Sequence, residues 1–435
     1  MEPQVVVFWF RRDLRINDNA GLYAALNSGY RVLPIFVFDP DILDPLEDRD
    51  DPRVTFIYEN LESLNEKLLT VESGLMVIHA KPQDAFQELS RDFNLKAVYT
   101  NTDYEPYAIK RDEQIRNYLN AKGISFFSFK DQVIFEKDEV VKPDRTPYTI
   151  YTPYSRKWKQ QLNEKRLSVF DSEKMSANFI NLPPREIPSL RSLGFRRSNL
   201  EVKTVDLSTE MLSSYDQLRN VPSKDATSHL SVHLRFGTIS VREVVKKALP
   251  YESFLNELIW REFFMQILYH YPHIVSCSFK PDYDRIEWAN DEEMFNRWCE
   301  GTTGFPLVDA GMRELNQTGT MHNRVRMVVA SFLTKLLLID WRWGEAYFAR
   351  KLMDFELSSN NGNWQWAAGT GCDAAPFFRI FSPEQQQFRF DPDEVYIRKW
   401  IPEYGTANYP NPIIDIREAR DRTLEAYKQA LDHVS

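Results

Sequence analysis

Through about the first 130 residues, short apolar runs alternate with helix-spaced segments. Val5 to Phe10 contains no polar side chain, so it reads as a strand buried on both faces. Asp18 to Leu26 opens a helix with Asp18 as its cap. Val32 to Phe38 is a second strand and Thr55 to Leu69 a helix. Leu75 to His79, Ala97 to Thr100 and Ile124 to Phe129 are further strands, with helices at Gln83 to Phe93 and Ala108 to Ala121. Such alternation requires right-handed crossovers, and the compact solution is a doubly wound parallel sheet with helices on both faces.

The pattern then changes. Prolines at 143, 147, 153, 183, 184 and 188 break the next stretch into a connector, with one short helix at Lys157 to Lys165. Beyond Leu207 the chain reads as almost wholly helical, with helix-length patterns at Phe254 to Tyr269, His322 to Ile339 and Glu345 to Met353. The expected fold is therefore an N-terminal Rossmann-like α/β domain (1–132), an interdomain linker (133–206) and an all-helical domain (207–435). No Gly-x-Gly-x-x-Gly follows the first strand. Arg11-Arg12-Asp13-Leu14-Arg15 stands there instead, which argues against an ordinary nicotinamide site.

Composition narrows the function classes. Three cysteines, Cys277, Cys299 and Cys372, have no metal-ligand spacing and give no disulfide framework, and no metal is expected. No apolar stretch reaches membrane-spanning length, because Lys335 and Asp340 interrupt the longest candidate. The start lacks signal-peptide character, so an intracellular, cytoplasmic, reducing location is expected. The net charge of −9 argues against indiscriminate nucleic-acid binding. Val141 to Lys203, however, carries thirteen Lys/Arg against six Asp/Glu, so a basic zone sits on an acidic body and can meet phosphates.

Three constellations stand out in the helical half. In Asn256-Glu257-Leu258-Ile259-Trp260-Arg261-Glu262-Phe263, helical spacing puts Glu257, Trp260 and Arg261 on one face. A carboxylate beside an indole can bond a base edge while the ring stacks on it. For these residues alone, an amphipathic helix with an internal Glu257–Arg261 pair is the favoured reading. In His322-Asn323-Arg324-Val325-Arg326-Met327, Arg324 and Arg326 point to different sides, one toward an outside phosphate and the other toward an inner acid, for which Asp354 is the candidate. Thr227-Ser228-His229-Leu230-Ser231 offers small hydroxyls at a helix start. A later block, Asn360-Asn361-Gly362-Asn363-Trp364-Gln365-Trp366, places two indoles among amides. That suits a planar cofactor on one side and stacked bases on the other.

These motifs, with Phe8-Trp9-Phe10-Arg11-Arg12-Asp13-Leu14-Arg15, resemble the photolyase/cryptochrome family over nearly the whole chain, most closely a class I cyclobutane pyrimidine dimer (CPD) photolyase. The resemblance implies FAD lined by Tyr215, Thr227, Ser228, Ser231, Arg261, Asn323, Arg326, Asp354, Glu356 and Asn360. Asn360 faces the flavin's redox-active nitrogen, and asparagine there favours repair over photoreception. It implies a lesion cavity walled by Trp260 and Trp366, with Glu257, Asn323 and Met327 inside it and Arg324 and Arg379 on the DNA backbone. Trp364, Trp341 and Trp288 match an electron-transfer chain to the surface. Glu105, in Asp103-Tyr104-Glu105-Pro106-Tyr107, marks an antenna chromophore, either methenyltetrahydrofolate or a deazaflavin. Three positions depart from the usual motif: Glu356 for Asp, Ser382 for Asn and Asn363 for Gly.

The implied activity is light-dependent repair of pyrimidine dimers in UV-damaged DNA by a monomer without an obligatory protein partner. Photoexcited reduced FAD donates an electron to the extruded dimer and recovers it after ring opening. Glu257, protonated or sharing a proton, steadies the charged dimer. The alternatives are a cryptochrome-type receptor, disfavoured because no long tail follows Trp400-Ile401-Pro402-Glu403, a (6-4) photolyase, which carries histidines where Asn323 and Met327 stand, and a plain electron-transfer flavoprotein.

Overall fold

The computed structural model describes residues 4–183 and 185–432. The chain forms two compact units. Met1–Glu139, Trp158–Val205 and His229–Pro250 make the first, and Val140–Lys157, Asp206–Ser228 and Tyr251–Ser435 the second.

In the first unit β1 (Gln4–Phe10), β2 (Arg31–Phe38), β3 (Met76–His79), β4 (Asn94–Asn101) and β5 (Ser125–Phe129) form one parallel sheet in the order β3-β2-β1-β4-β5. The crossovers are α1 (Ala20–Leu26), α2 (Pro52–Leu69), α3 (Pro82–Asp92) and α4 (Pro106–Ala121). β1 is central, and every residue from Val5 to Phe10 is buried. Val5, Val7 and Trp9 pack on Leu33, Ile35, Phe86 and Leu89 on one side of the sheet. A strand covered on both faces has no polar positions to offer, which is why it reads as an unbroken apolar run.

The cap of α1 is Asn19, which accepts from the Leu22 N–H, rather than Asp18. Asp18 adopts a left-handed backbone (φ 44°), and its carboxylate is taken by Arg242, 3.0 Å away, from α8 (Val241–Ala248). The polar ends of the strands form a dense buried network. At the switch point between β1 and β4, Arg11 meets Asp112 at 2.6 Å and the Asn101 carbonyl. Arg15 and Arg242 converge on Asp131 at 2.5 and 2.8 Å. Burial opposes ionisation of Asp131, but the two arginines overcome it and hold its pKa below the ordinary carboxylate range. The crevice where such sheets commonly take a ligand is therefore filled by the chain's own ion pairs.

The second unit is helical. It contains α6 (Thr209–Leu218), α9 (Glu252–His270), α10 (Glu292–Glu300), α11 (Pro306–Thr318), α12 (Asn323–Ser331), α13 (Trp341–Lys351), α14 (Leu357–Ala368), α15 (Pro383–Phe390), α16 (Val395–Trp400) and α17 (Ile416–Asp432). α7 (Leu230–Phe236) and α8 group with the first unit, and α5 (Tyr151–Gln161) lies in the second through Lys157. α5 begins earlier than the proline count implies, because Pro153 falls in its first turn, where no helical N–H is needed. The helix expected from His322 to Ile339 is not continuous. α12 gives way to a π-helical turn, Phe332–Leu336, that carries the fully buried Lys335. Lys335 Nζ donates to the Phe377 carbonyl at 2.8 Å and lies 5.0 Å above the Tyr427 ring. Burial, with Lys280 adding, pushes its pKa down to about 7.

The core of this unit joins Trp298, Phe305, Phe332, Trp341, Phe348 and Trp364. α13 and α14 approach closely because position 344 is glycine: a Cβ there would fall 2.1 Å from the Trp364 ring. No helix among the described residues is long and apolar enough to cross a membrane.

Candidate functional site

Neighbouring side chains on one face of α9 take partners from different segments. Arg261 reaches Glu356 at 3.2 Å, and Ser359 also donates to Glu356, at 2.9 Å. The inner arginine of the α12 pair is Arg326, which meets Asp354 at 2.9 Å and the Met321 carbonyl at 2.8 Å. The longer Glu356 thus finds partners from two helices. Asn360 is buried and donates to the Glu345 carboxylate at 2.8 Å and to its carbonyl at 3.1 Å. Burial raises the Glu345 pKa, with the Asn360 bond offsetting part of the effect.

Asp354 gives one oxygen to Arg326 and leaves Oδ1 buried without a partner among the described residues. Ser358 Oγ is in the same condition. Buried acceptors are normally satisfied, and an exception calls for a reason. A ring N–H such as an isoalloxazine carries supplies one, and Arg261 and Arg326 supply positive charge for an anionic ring system. The residues therefore fit a flavin.

Tyr215 lies on α6, and burial first, then Glu257, pushes its phenol up to about 12. Thr227 and Ser228 fall in the second unit, but Ser231 belongs to the first and is exposed. The hydroxyl segment does not cap α7, whose N-cap is His229 with φ 51°. Asn323 is exposed at the start of α12. His322 caps α12 by accepting the Arg324 N–H on Nδ1 at 3.2 Å. Burial, then Arg326 and Arg324, pushes His322 down to about 4, so the ring is neutral.

One turn before Arg261 on α9, Glu257 pairs with Arg219 of the α6 C-cap at 2.7 Å, not with Arg261. The hydrogen that Glu257 shares thus comes from a guanidinium. Trp260 lies face to face with Tyr151, ring centroids 3.6 Å apart and planes 4° apart, and Tyr151 Oη donates to the Asn256 carbonyl. Arg324 reaches Asn220 at 2.7 Å and Met327 Sδ at 3.5 Å, and stacks 4.4 Å above Phe390. Trp366 is half-buried and Arg379 exposed.

Trp364 contacts Phe348 at 5.0 Å and Trp298 at 6.1 Å. Its ring abuts Gly344, and Trp341, one turn earlier on α13, is buried with Arg342 4.8 Å above it. Trp288 is half-buried against Tyr427 at 5.9 Å. Ser382 turns out to cap α15 through the Gln385 N–H, and the exposed Asn363 donates to the Ser359 carbonyl. Glu105, in the first unit, is held by Arg12 at 3.1 Å and Arg235 at 3.5 Å.

The sequence reading missed Tyr151, Arg219, Asn220 and Glu345. Tyr151 sits in a proline-broken connector that carries no periodic signal. Arg219 was within reach, since it follows Tyr215 by four positions and shares its face.

Residues 254–408 match the family described as FAD binding domain of DNA photolyase, and residues 6–172 match DNA photolyase. The deoxyribodipyrimidine photo-lyase of Halobacterium salinarum is 34% identical over 98% of this chain and 99% of its own length. A class III photolyase from Agrobacterium tumefaciens superposes with a TM-score of 0.86 at 31% identity, covering 99% of this chain and 98% of the other. The Sulfolobus tokodaii photolyase with two FAD molecules superposes at 0.84 with 32% identity, covering 98% and 100%. The chain belongs to the photolyase/cryptochrome family and carries both of its domains, the DNA photolyase domain and the FAD-binding domain.

Proposed function

We propose that the chain repairs cyclobutane pyrimidine dimers in UV-damaged DNA in a light-dependent reaction. One observation supports this reading most: about one turn of α9 carries Glu257 and Trp260 beside Arg261, with Glu257 paired to Arg219 and Arg261 to Glu356. A base-edge acceptor and a stacking indole are thereby held one helical turn from the flavin set. Reduced FAD, when bound, supplies the photoexcited electron that opens the cyclobutane ring.

The chain's residues do the rest. Arg261 and Arg326 hold the charge of the ring system, each already oriented by a carboxylate partner. Asp354 Oδ1 and Ser358 Oγ receive its polar edge. The Glu345 carboxylate and carbonyl accept from the Asn360 amide and fix its orientation. Glu257 accepts from the pyrimidine edge while Arg219 spreads the negative charge the dimer gains. Arg324 and Arg379 dock phosphates without reading sequence. The aromatic series Trp364, Trp341 and Trp288 is the reductive route from the surface. Glu105 marks the position of a second, light-harvesting chromophore, a role the Sulfolobus tokodaii protein's description gives to a second FAD.

The test is illumination of purified holoprotein with oligonucleotides carrying one defined lesion, either a cyclobutane dimer or a (6-4) product. Loss of the cyclobutane dimer alone, only in light, is the expected result. Repair of the (6-4) product, or of neither, overturns the proposal. Glu257→Ala should retain FAD and lower repair per absorbed photon at least tenfold, on the scale of losing one hydrogen bond to a charged group at about 1.5–3 kcal/mol. An unchanged yield removes Glu257 from the chemistry.

A further inference from the structure

Lys335 is the charged member of the π-helical turn and is fully buried. Its partners are neutral: the Phe377 carbonyl at 2.8 Å and the face of Tyr427 at 5.0 Å. Burying an ammonium costs free energy that an apolar side chain of similar length does not, so stability alone leaves this residue unexplained.

What Lys335 holds is a loop. From Gly371 to Ile380 the chain forms neither helix nor strand. It crosses the end of α14 so closely that a Cβ on Gly369 would lie 3.3 Å from the Ala375 carbonyl, 3.3 Å from Lys335 Nζ and 3.4 Å from Phe377 Cα. A cation is favoured there by the free carbonyls of a helix C-terminus. The Phe377 ring lies 5.7 Å from Tyr427 with the planes 14° apart, and Tyr427 Oη donates to the Ala368 carbonyl at 2.7 Å. Earlier in the loop, Asp373 Oδ2 accepts the Tyr151 N–H at 2.9 Å, and Tyr151 is the ring stacked on Trp260. The loop is thus tied to the indole wall at one point and to Lys335 and Tyr427 at another. Two residues past the Lys335 contact stands Arg379, exposed and without an acidic partner among the described residues.

An arginine on a slack loop must be ordered when it meets a phosphate, and that ordering weakens binding. We propose that Lys335 is a positioning residue for DNA: its hold on the Phe377 carbonyl orders the loop in advance and sets Arg379 at a fixed place relative to the Trp260 wall. The proposal rests on the phosphate role given to Arg379 above and adds the buried group behind that surface contact. Lys335 acts through the backbone of residue 377 and not on DNA itself.

The experiment compares four full-length holoproteins, wild type, Lys335→Met, Arg379→Ala and the double variant. Each is titrated in the dark with a labelled duplex carrying one cyclobutane dimer and with the undamaged duplex. Wild type should prefer the damaged duplex. Arg379→Ala should bind it more weakly, with the slope of log K against log salt smaller by about 0.9, the share of one phosphate. Lys335→Met should bind about fivefold to tenfold more weakly where Arg379 is present. Where Arg379 is absent it should stay within about twofold of its parent, because nothing remains for it to position. FAD content should match wild type, and Lys335→Gln, which keeps an N–H donor, should lose less than Lys335→Met. An equal loss in both backgrounds, no loss in either, the reverse order of the Gln and Met variants, or release of FAD by both overturns the positioning role. If Arg379→Ala binds as wild type does, the phosphate contact fails and the inference with it, while a dimer preference in wild type still supports repair. A wild type that ignores the dimer overturns the repair reading itself.

Discussion

The two units put their buried arginine–carboxylate pairs to different uses. In the first, Arg11, Arg15 and Arg242 meet Asp112, Asp131 and Asp18, so a crevice of ligand-binding type is closed from within. In the second, Asp354 Oδ1 and Ser358 Oγ are buried without partners among the described residues, in a unit whose Arg261 and Arg326 are already oriented by carboxylates. Arginines paired with carboxylates specify a fold, and an acid oxygen left open beside such a pair reserves a place for a guest. The family's flavin chemistry belongs to the second kind of site.

The comparison can be broken at four points, beginning with the largest effect. Asp131→Ala leaves two buried guanidiniums without their carboxylate and should destabilise the chain by about 3–5 kcal/mol in urea unfolding. The sign with pH follows from the depressed pKa: the contribution of Asp131 is full above the ordinary carboxylate value of about 4 and is lost as pH falls below it. A loss of under about 1 kcal/mol would make the network incidental. Asp354→Asn should weaken FAD retention about tenfold to a hundredfold, the worth of one hydrogen bond to a charged group at about 1.5–3 kcal/mol. Flavin absorbance after gel filtration reads it, and undiminished retention would show that Asp354 Oδ1 is not an acceptor for the cofactor.

His322 is next. Its pKa falls from the ordinary 6.5 to about 4 in the fold, so its neutral form contributes fully above pH 6.5, and that contribution is lost as pH drops toward 4. At pH 5 the deficit is about 2 kcal/mol. His322→Asn keeps a capping side chain and should flatten the stability slope between pH 5 and 7, and an unchanged slope would assign it elsewhere. Smallest is Lys335→Met, which exchanges a lone buried amine for an apolar side chain of similar length and should move stability by less than about 1.5 kcal/mol. A larger loss would show that the bond to the Phe377 carbonyl secures the π-helical turn.

What could be read in advance followed the range of the forces involved. All five strands were legible and their ends differ by only a few residues; in β1 and β2 burial on both faces writes a continuous local signal. The pairing of Arg326 with Asp354 followed from facing directions on a single helix. Failures came where partners are distant in the chain. Asp18 looked like a cap from its neighbours, yet its carboxylate is claimed by a residue 224 positions away. Glu257 had an arginine four residues on, but it pairs with one contributed by a different helix. Tyr151 could not be foreseen as the stacking partner of Trp260, because nothing in a connector's composition encodes what its rings will meet.

The backbone passes between the two units five times, after residues 139, 157, 205, 228 and 250. Neither unit can therefore be released by a single proteolytic nick or cloned as one uninterrupted fragment. A piece beginning at Tyr251 would lack Tyr151, Tyr215 and Arg219, and so would forfeit the stack on Trp260 and the counter-ion of Glu257. Such interlacing ties the fate of the light-driven centre to synthesis of the whole polypeptide, and it favours inheritance of the gene entire over recombination of its halves.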